Sequence, residues 1–278
     1  MKTRVFSVSD LHLLEFARPK SHKGDNGRVL VVGGSSLFHS ASLWAAELLA
    51  HFMDLVFYYS PCALNQQLAL NLKQNFRNGM VIVKKDLFHY LEEAEVILIG
   101  PGMMREGKEG QFTEEMTNKL LLQFPQKKIV IDAGAIQKLD IKNIKKSHLL
   151  TPHWQEYEHL FTNMPKFDDL IKQYPATYLI KKNGIDYIVS WEKPKELIKI
   201  ALGNAGLTKG GTGDLLAALS ASFYVKNPAW LAAASASLVL NMAANELYQK
   251  IGPFYTTTEL LEQIPKTLWR LLSSKTQA

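Results

Sequence analysis

Short β-branched and aliphatic runs, each halted by turn residues or a carboxylate and followed by a helix-forming stretch, constrain this chain more than any other feature. Arg28 to Val32 (RVLVV) stops at Gly33-Gly34, and Glu95 to Ile99 (EVILI) runs into Gly100-Pro101-Gly102. Lys128 to Asp132 (KIVID) ends in a carboxylate, and Leu149-Leu150 closes onto Thr151-Pro152-His153. Continuous apolar runs of this length fit strands buried on both faces, and their alternation with helices favours a mostly parallel sheet covered by helices. In such sheets ligands sit beyond the carboxyl ends of the strands. The motifs at Gly33-Gly34-Ser35, Gly100-Pro101-Gly102, Asp132 and Thr151-Pro152-His153 should therefore meet along one edge.

The remaining pattern fills out that frame. Helical spacing covers Ser40 to His51 and Glu109 to Phe124; strands are predicted at Asp54 to Tyr59, ended by Pro61, and at Met80 to Val83. Ala176 to Lys181 and Ile185 to Ser190 read as a hairpin about the turn dipeptide Asn183-Gly184. Beyond them the chain reads as helical: Asp214 to about Val225, a break at Asn227-Pro228, Ala229 to Gln249, and a last helix from Thr258, its expected N-cap. The 278 residues, 47% of them hydrophobic, are enough for a full core, and one domain over 1–278 is expected, with 1–20 as an N-terminal extension or first helix.

Composition removes several functional classes. No stretch reaches the ~18 apolar residues of a membrane span. The opening MKTRVFSVSDLHLLEF carries Asp10 and Glu15 and lacks a small-residue cleavage site, so it reads as mature protein. One cysteine, Cys62, excludes an intrachain disulfide and argues against a cysteine-based zinc site, which fits a reducing cytoplasm. The net charge of +6 is spread over short lysine clusters with no basic helix or aromatic-interleaved motif, which points away from nucleic acid.

Gly203 to Asp214, GNAGLTKGGTGD, carries most of the chemistry. Three glycines in four positions, Gly210, Gly211 and Gly213, let main-chain amides approach a ligand closely at the start of an apolar helix. A helix N-terminus with free amides suits a phosphate or a developing phosphoryl charge. Asp214 at that mouth is either a helix cap or a general base beside an anion hole. The Lys209-before-glycine order is not that of a Walker A loop.

The string resembles two nested families. KGGTGD is similar to the GAGD-type anion-hole motif of ribokinase-like kinases, and the longer GNAGLTKGGTGD resembles the GNPGMAKGGTGD of the ADP/ATP-dependent NAD(P)H-hydrate dehydratases. Ser21 to Ser35 (SHKGDNGRVLVVGGS) resembles HKGxxGRVLVIGGS; Gly100-Pro101-Gly102 resembles GPGLG; Val130 to Ala135 (VIDAGA) resembles VLDADA; Leu150 to Glu156 (LTPHWQE) resembles LTPHPGE. The matches stand in order over about residues 21 to 270.

The resemblance implies a ribokinase-like three-layer α/β/α sandwich with a mostly parallel central sheet. It implies a hydro-lyase that repairs hydrated NADH or NADPH by phosphorylating the ring hydroxyl from ADP or ATP, with Mg²⁺, and then eliminating phosphate. By resemblance Asp214 is the catalytic base, assisted by the amides of Gly211, Thr212 and Gly213. Ala41, Gly102, His153 and Asp214 contact substrate. Lys181, Lys182, Asn183, Gly184, Ile185 and Gly213 bind the nucleotide; metal ligands are unassigned. A homo-oligomer, a tetramer by analogy, is expected, and the family's epimerase domain has no expected counterpart.

Departures from the pattern keep two other readings open: a small-molecule kinase acting on a vitamin precursor or sugar, and a non-catalytic nucleotide-binding homologue. The second Asp of DADAL is Gly134 here; Lys-Gly becomes Lys181-Lys182; GNPG becomes Gly203-Asn204-Ala205-Gly206; and RAGAGLV loses its glycines at His51 to Val56. Simpler roles also stand for some positions: Ala41 as a plain helix residue, Gly102 as a turn, His153 as a satisfied structural histidine, Glu156 as a helix cap and Asn204 as a brace for its loop.

Overall fold

The computed structural model describes residues 1–16, 20–72, 77–161 and 164–273. Ten strands form a single sheet in the order β1-β10-β9-β8-β7-β6-β5-β2-β3-β4. They are β1 (Lys2–Val5), β2 (Arg28–Val32), β3 (Leu55–Tyr59), β4 (Gly79–Val81), β5 (Val96–Ile99), β6 (Lys128–Ile131), β7 (His148–Leu150), β8 (Thr177–Lys182), β9 (Ile185–Ser190) and β10 (Glu196–Ile200). Pairing is parallel throughout except at β9, which runs antiparallel to both β8 and β10.

Alternation along the strands divides the core into two layers. Val29, Val31, Leu98, Val130 and Leu179 point to one face, where α1 (Ser40–Leu49), α8 (Thr212–Tyr224), α9 (Ala229–Ile251) and α10 (Thr257–Ser273) cover them. Leu30, Val32, Ile97, Ile99, Ile131 and Ile180 point to the other, under α3 (Leu87–Glu93), α4 (Gly107–Gln123), α5 (Ala133–Lys138), α6 (Trp154–Leu160) and α7 (Phe167–Gln173). α2 (Ala63–Leu72) adds Ala69 to the first layer. Each fully buried aliphatic side chain contributes about 1.5–3 kcal/mol, so this two-sided burial is what holds the central strands in one plane. The result is the α/β/α sandwich that the motifs imply.

Several elements differ from the sequence reading. Residues 2–5 are a sheet strand, paired parallel with β10, and Val8–Leu13 forms a short 3-10 helix, so the expected N-terminal helix is preceded by a strand of the sheet. Strand β10, ELIKI, lies where the pattern reads as helical, because its alternating burial leaves no continuous apolar run. The last helix is capped by Thr256, not Thr258: the Thr256 hydroxyl accepts from the Glu259 amide at 3.2 Å and the Glu259 carboxylate accepts from the Thr256 amide. Thr258 sits inside the first turn, its hydroxyl accepting from Trp44 Nε1 at 3.3 Å.

Asn227 ties the N-terminal segment to the α8–α9 corner. Its Oδ1 accepts from the Glu15 amide at 2.8 Å, and its Nδ2 donates to the carbonyls of Glu15 and Phe223 at 3.1 and 2.9 Å. Truncation would leave the Glu15 amide and carbonyl unpaired, while the Phe223 carbonyl would keep its bond from the Asn227 amide at 3.1 Å. Asn227→Ala is therefore expected to cost about 1–3 kcal/mol, read as a thermal midpoint lowered by several degrees with the fold retained.

Candidate active site

The edge formed by the carboxyl ends of the parallel strands opens into a cleft of about 450 Å³. Its walls come from different elements: Asp132 after β6, Thr151 and His153 after β7, Lys181 on β8, the loop from Leu207 to Asp214, and Arg105 after β5. The convergence predicted from strand ends is thus observed for Asp132 and the Thr151 to His153 turn.

The glycine loop takes its shape from steric necessity. Gly211 is left-handed, with φ of +95°, and caps α8. A Cβ there would stand 2.5 Å from the Trp44 ring and 2.8 Å from Thr257 Cγ2, so the backbone lies directly on an aromatic floor. Thr257 Oγ1 donates to the Gly210 carbonyl at 2.7 Å, and Thr212 Oγ1 donates to the carbonyls of Leu207 and Lys209 at 2.9 and 3.0 Å. The loop is therefore braced before any ligand arrives. Gly213 faces open space, with nothing within 4 Å of a Cβ built on it. Thr212 differs from its expected role: its amide donates back to the Lys209 carbonyl at 3.4 Å, so it is partly consumed inside the loop.

Asp214 is the third residue of α8, whose N-cap is Gly211, so the capping reading of Asp214 does not hold. Burial pushes its carboxyl up to about 6, and the charge of Glu156 adds to the rise. Asp132, 6% exposed, is raised well above the carboxylate range by burial, then by the charges of Asp214 and Glu156; Thr151 Oγ1 donates to its Oδ1 at 2.7 Å. Three carboxylates thus crowd one end of the phosphate-shaped loop. A carboxylate poised near neutrality, next to amides suited to an anion, has the properties of a general base.

The cations in the walls differ in freedom. Lys209 Nζ donates to the Pro253 carbonyl and stands over the Tyr255 ring, which ties its charge away from the cleft. Lys181 faces the cleft, with its amide donating to the Pro152 carbonyl at 3.1 Å. Arg105, half exposed, stands 3.5 Å from Glu156 Oε1. Sequence reasoning missed Arg105, because nothing local marks a loop arginine as the partner of a carboxylate fifty-one positions on.

The other predicted positions fall into two groups. His153 lines the cleft and also caps α6: its Nδ1 accepts from the Glu156 amide at 3.1 Å, while Glu156 Oε2 accepts from the His153 amide at 3.1 Å. Glu156 serves both the cap and the carboxylate cluster. Asn183 and Gly184, with φ of +52° and +74°, make the expected two-residue hairpin turn, and they and Ile185 lie beyond the cleft walls. Lys182 points to the opposite sheet face, where its ammonium sits 3.3 Å from the centroid of the Trp154 ring. Its side chain is therefore directed away from the cleft, contrary to the expected nucleotide contact. Trp154 replaces a proline of the family pattern and Lys182 a glycine, so these two departures pair with each other.

Ala41 and Gly102 meet one another outside the cleft walls. A Cβ on Gly102, whose φ is +69°, would lie 2.7 Å from the Phe38 carbonyl oxygen and 3.1 Å from the Ala41 Cβ. Glycine is required there by contact as well as by turn. Gly134 is fixed in the same way, since a Cβ would stand 2.2 Å from the Met103 carbonyl oxygen; the second aspartate of the family pattern has no room in this loop. Asn204 braces its own loop, accepting from the Gly206 amide at 2.9 Å and the Tyr255 hydroxyl at 2.7 Å.

A mostly parallel sheet between two helical layers, with a glycine-capped loop and an adjacent carboxylate at its carboxyl edge, defines a protein of ribokinase-like fold. Solved structures agree on the fold. A ribokinase-like protein from Enterococcus faecalis superposes with a TM-score of 0.83 at 22% identity, covering 97% of this chain and 96% of that one. The ADP/ATP-dependent NAD(P)H-hydrate dehydratase of Bacillus subtilis, crystallised with ATP and Mg²⁺, gives 0.75 at 18% identity, covering 95% and 97%.

The family model for NAD(P)H-hydrate dehydratases matches residues 29–266, and the chain belongs to that family. It is 30% identical to the bifunctional NAD(P)H-hydrate repair enzyme of Methanocaldococcus jannaschii over 95% of this chain and 52% of that protein. It is 28% identical to the ADP-dependent (S)-NAD(P)H-hydrate dehydratase of Cenarchaeum symbiosum over 96% and 98%. The chain thus spans about half the length of the bifunctional relatives.

Proposed function

We propose that this chain dehydrates hydrated NADH and NADPH at the expense of ADP or ATP. The observation that carries the reading is Asp214, half-buried and raised to about 6, one turn into the helix that Gly211 caps. The substrate's ring hydroxyl lies against Asp214 and the terminal phosphoryl group of the nucleotide against the amides of Gly211 and Gly213. Asp214 takes the hydroxyl proton as the oxygen attacks phosphorus, the bond from that phosphorus to the departing AMP (from ADP) or ADP (from ATP) breaks, and the loop amides hold the charge on the phosphoryl oxygens. The C–O bond of the phosphate ester then breaks, phosphate departs with the original hydroxyl oxygen, and the neighbouring ring carbon gives up a proton, which regenerates the reduced nicotinamide ring. His153 and Lys181 orient the two ligands from the opposite wall.

Mg²⁺ suits these residues as a companion of the nucleotide. Among the described residues no three His, Cys, Asp or Glu side chains stand close enough to cage a metal. Magnesium commonly keeps waters and takes one or two carboxylates together with phosphate oxygens. Asp132 and Glu156, whose charges repel each other beside the loop, would hold it, and it would supply charge neutralisation on the phosphates. Among the described residues no helix is long and apolar enough to cross a membrane. A cytoplasmic homo-oligomer is the expected setting.

The test incubates NADH hydrate, ADP or ATP, and Mg²⁺ with the protein and follows reduced-nicotinamide absorbance together with phosphate. The expected result is recovery of absorbance with one phosphate per NADH. A stable phosphorylated product would favour the kinase reading, and nucleotide binding without turnover the non-catalytic one.

A further inference from the structure

A cavity of about 320 Å³ lies apart from the catalytic cleft, bordered by α3, α4 and the end of β3. It shares no lining residue with the cleft. Helical periodicity gives it two apolar sides. Phe112, Met116 and Leu120 recur at four-residue spacing along α4, and Leu87 and Leu91 do so along α3. Leu87, Leu91 and Leu120 are buried, while the Phe88 ring is exposed at the mouth.

Tyr59, the last residue of β3, borders this cavity and is only 4% exposed. Its carbonyl accepts from the Gly33 amide at 3.1 Å, but its hydroxyl has no hydrogen bond among the described residues. Burial pushes the phenol pKa up, with no partner to offset it. Buried polar groups are nearly always paired, so a phenol open only to an apolar cavity is a group for a ligand to satisfy.

The mouth is charged. Lys84, just before α3, and Lys119, on α4, are exposed, and neither has a hydrogen bond or ion pair among the described residues. Glu115, one turn before Lys119, is also exposed and without such a partner. Two ammonium groups against one carboxylate leave the mouth net positive, which suits a monoanion. The aromatic and thioether lining from Phe112 and Met116 favours a ring between the helices. A volume of about 320 Å³ is at the small end of the ~300–1,000 Å³ range of ligand sites, which limits the occupant to a single-ring compound.

We infer that this cavity binds a small aromatic monocarboxylate with a hydroxyl on the far side of its ring, of the hydroxybenzoate class. The ring lies against Phe112 and Met116, the ligand hydroxyl pairs with the Tyr59 hydroxyl, and the carboxylate stays at the mouth near Lys84 and Lys119. The site takes no part in the chemistry at Asp214, and its existence does not depend on the dehydratase reading.

Titration calorimetry of the full chain with para-hydroxybenzoate, benzoate and para-hydroxybenzyl alcohol tests each contact. In the wild type para-hydroxybenzoate is expected to bind about fivefold tighter than benzoate, which lacks the hydroxyl, and about fivefold tighter than the alcohol, which lacks the charge. Tyr59→Phe keeps the ring and the packing, and should remove the preference over benzoate by weakening the hydroxylated acid alone. Lys84→Gln combined with Lys119→Gln should remove the preference over the alcohol. The affinity for para-hydroxybenzoate should be unchanged in the presence of ADP. Absence of saturable binding of para-hydroxybenzoate at millimolar concentration overturns the inference, as does a Tyr59→Phe variant that keeps the wild-type preference. Competition with ADP would put the ligand in the catalytic cleft and overturn it equally.

Discussion

Asp214→Asn is expected to lower turnover of hydrated NADH by about 10²–10⁴-fold while raising the protein's thermal midpoint. The amide keeps the size of the carboxylate and cannot accept the hydroxyl proton. The gain in stability follows from proton linkage. Folding raises this carboxyl from an ordinary 3.8 to about 6, so the native state holds the proton more tightly than the unfolded chain. The stabilisation that this provides is complete below about pH 4 and is lost as pH rises through about 6. At pH 7 the buried carboxylate therefore burdens the fold, and the neutral amide removes that burden, a common trade between activity and stability. The same group sets the pH profile. In the wild type kcat/KM is expected to fall about tenfold per pH unit below 6 as Asp214 becomes protonated, and that limb is absent from the residual rate of the variant. A variant with full activity, or one that simply unfolds, contradicts this account of Asp214.

Gly211→Ala should be nearly as damaging, for a different reason. An L-residue at φ of +95° is strained, and its Cβ would press into the Trp44 ring at 2.5 Å. Together these cost roughly 2–4 kcal/mol, part of it avoidable by displacing the loop. Displacement moves the amides off the phosphoryl group, and losing one such donor typically costs about 10²–10³ in kcat. Gly210→Ala is the control, since Gly210 has neither a positive φ nor any atom within 4 Å of a built Cβ, and its thermal midpoint should match the wild type. Comparable loss of stability in the two variants would show that the Trp44 floor does not shape the loop.

Much of the architecture was legible because the central strands are buried on both faces. Val29 to Val32, Ile97 to Ile99 and Ile129 to Ile131 are fully buried, and such runs read without ambiguity. The turn at Asn183-Gly184 was equally plain, since few dipeptides adopt two successive positive φ values so readily. The edge strand β1 and its neighbour β10 were not, because much of each is open to water and a short, charged segment without a continuous apolar run fits several structures.

At the site, the glycine loop and Asp214 could be read because their chemistry is local in sequence. What shapes that loop is not local: Trp44 and Thr257 meet it only in the folded chain. Gly134 is the instructive case. As a missing carboxylate it suggested weakened function, yet the Met103 carbonyl occupies the space that any side chain would need. The pairing of Lys182 with Trp154 likewise joins two departures that look unrelated along the chain.

Oxygen labelling tests the chemistry at the glycine loop most directly. NADH hydrate carrying ¹⁸O in its ring hydroxyl is turned over with nucleotide in ordinary water, and the released phosphate is examined by mass spectrometry. Attack of that hydroxyl on the phosphoryl group held by the Gly211 to Gly213 amides places one ¹⁸O in every phosphate released with NADH. Unlabelled phosphate, with the label lost to water, contradicts it.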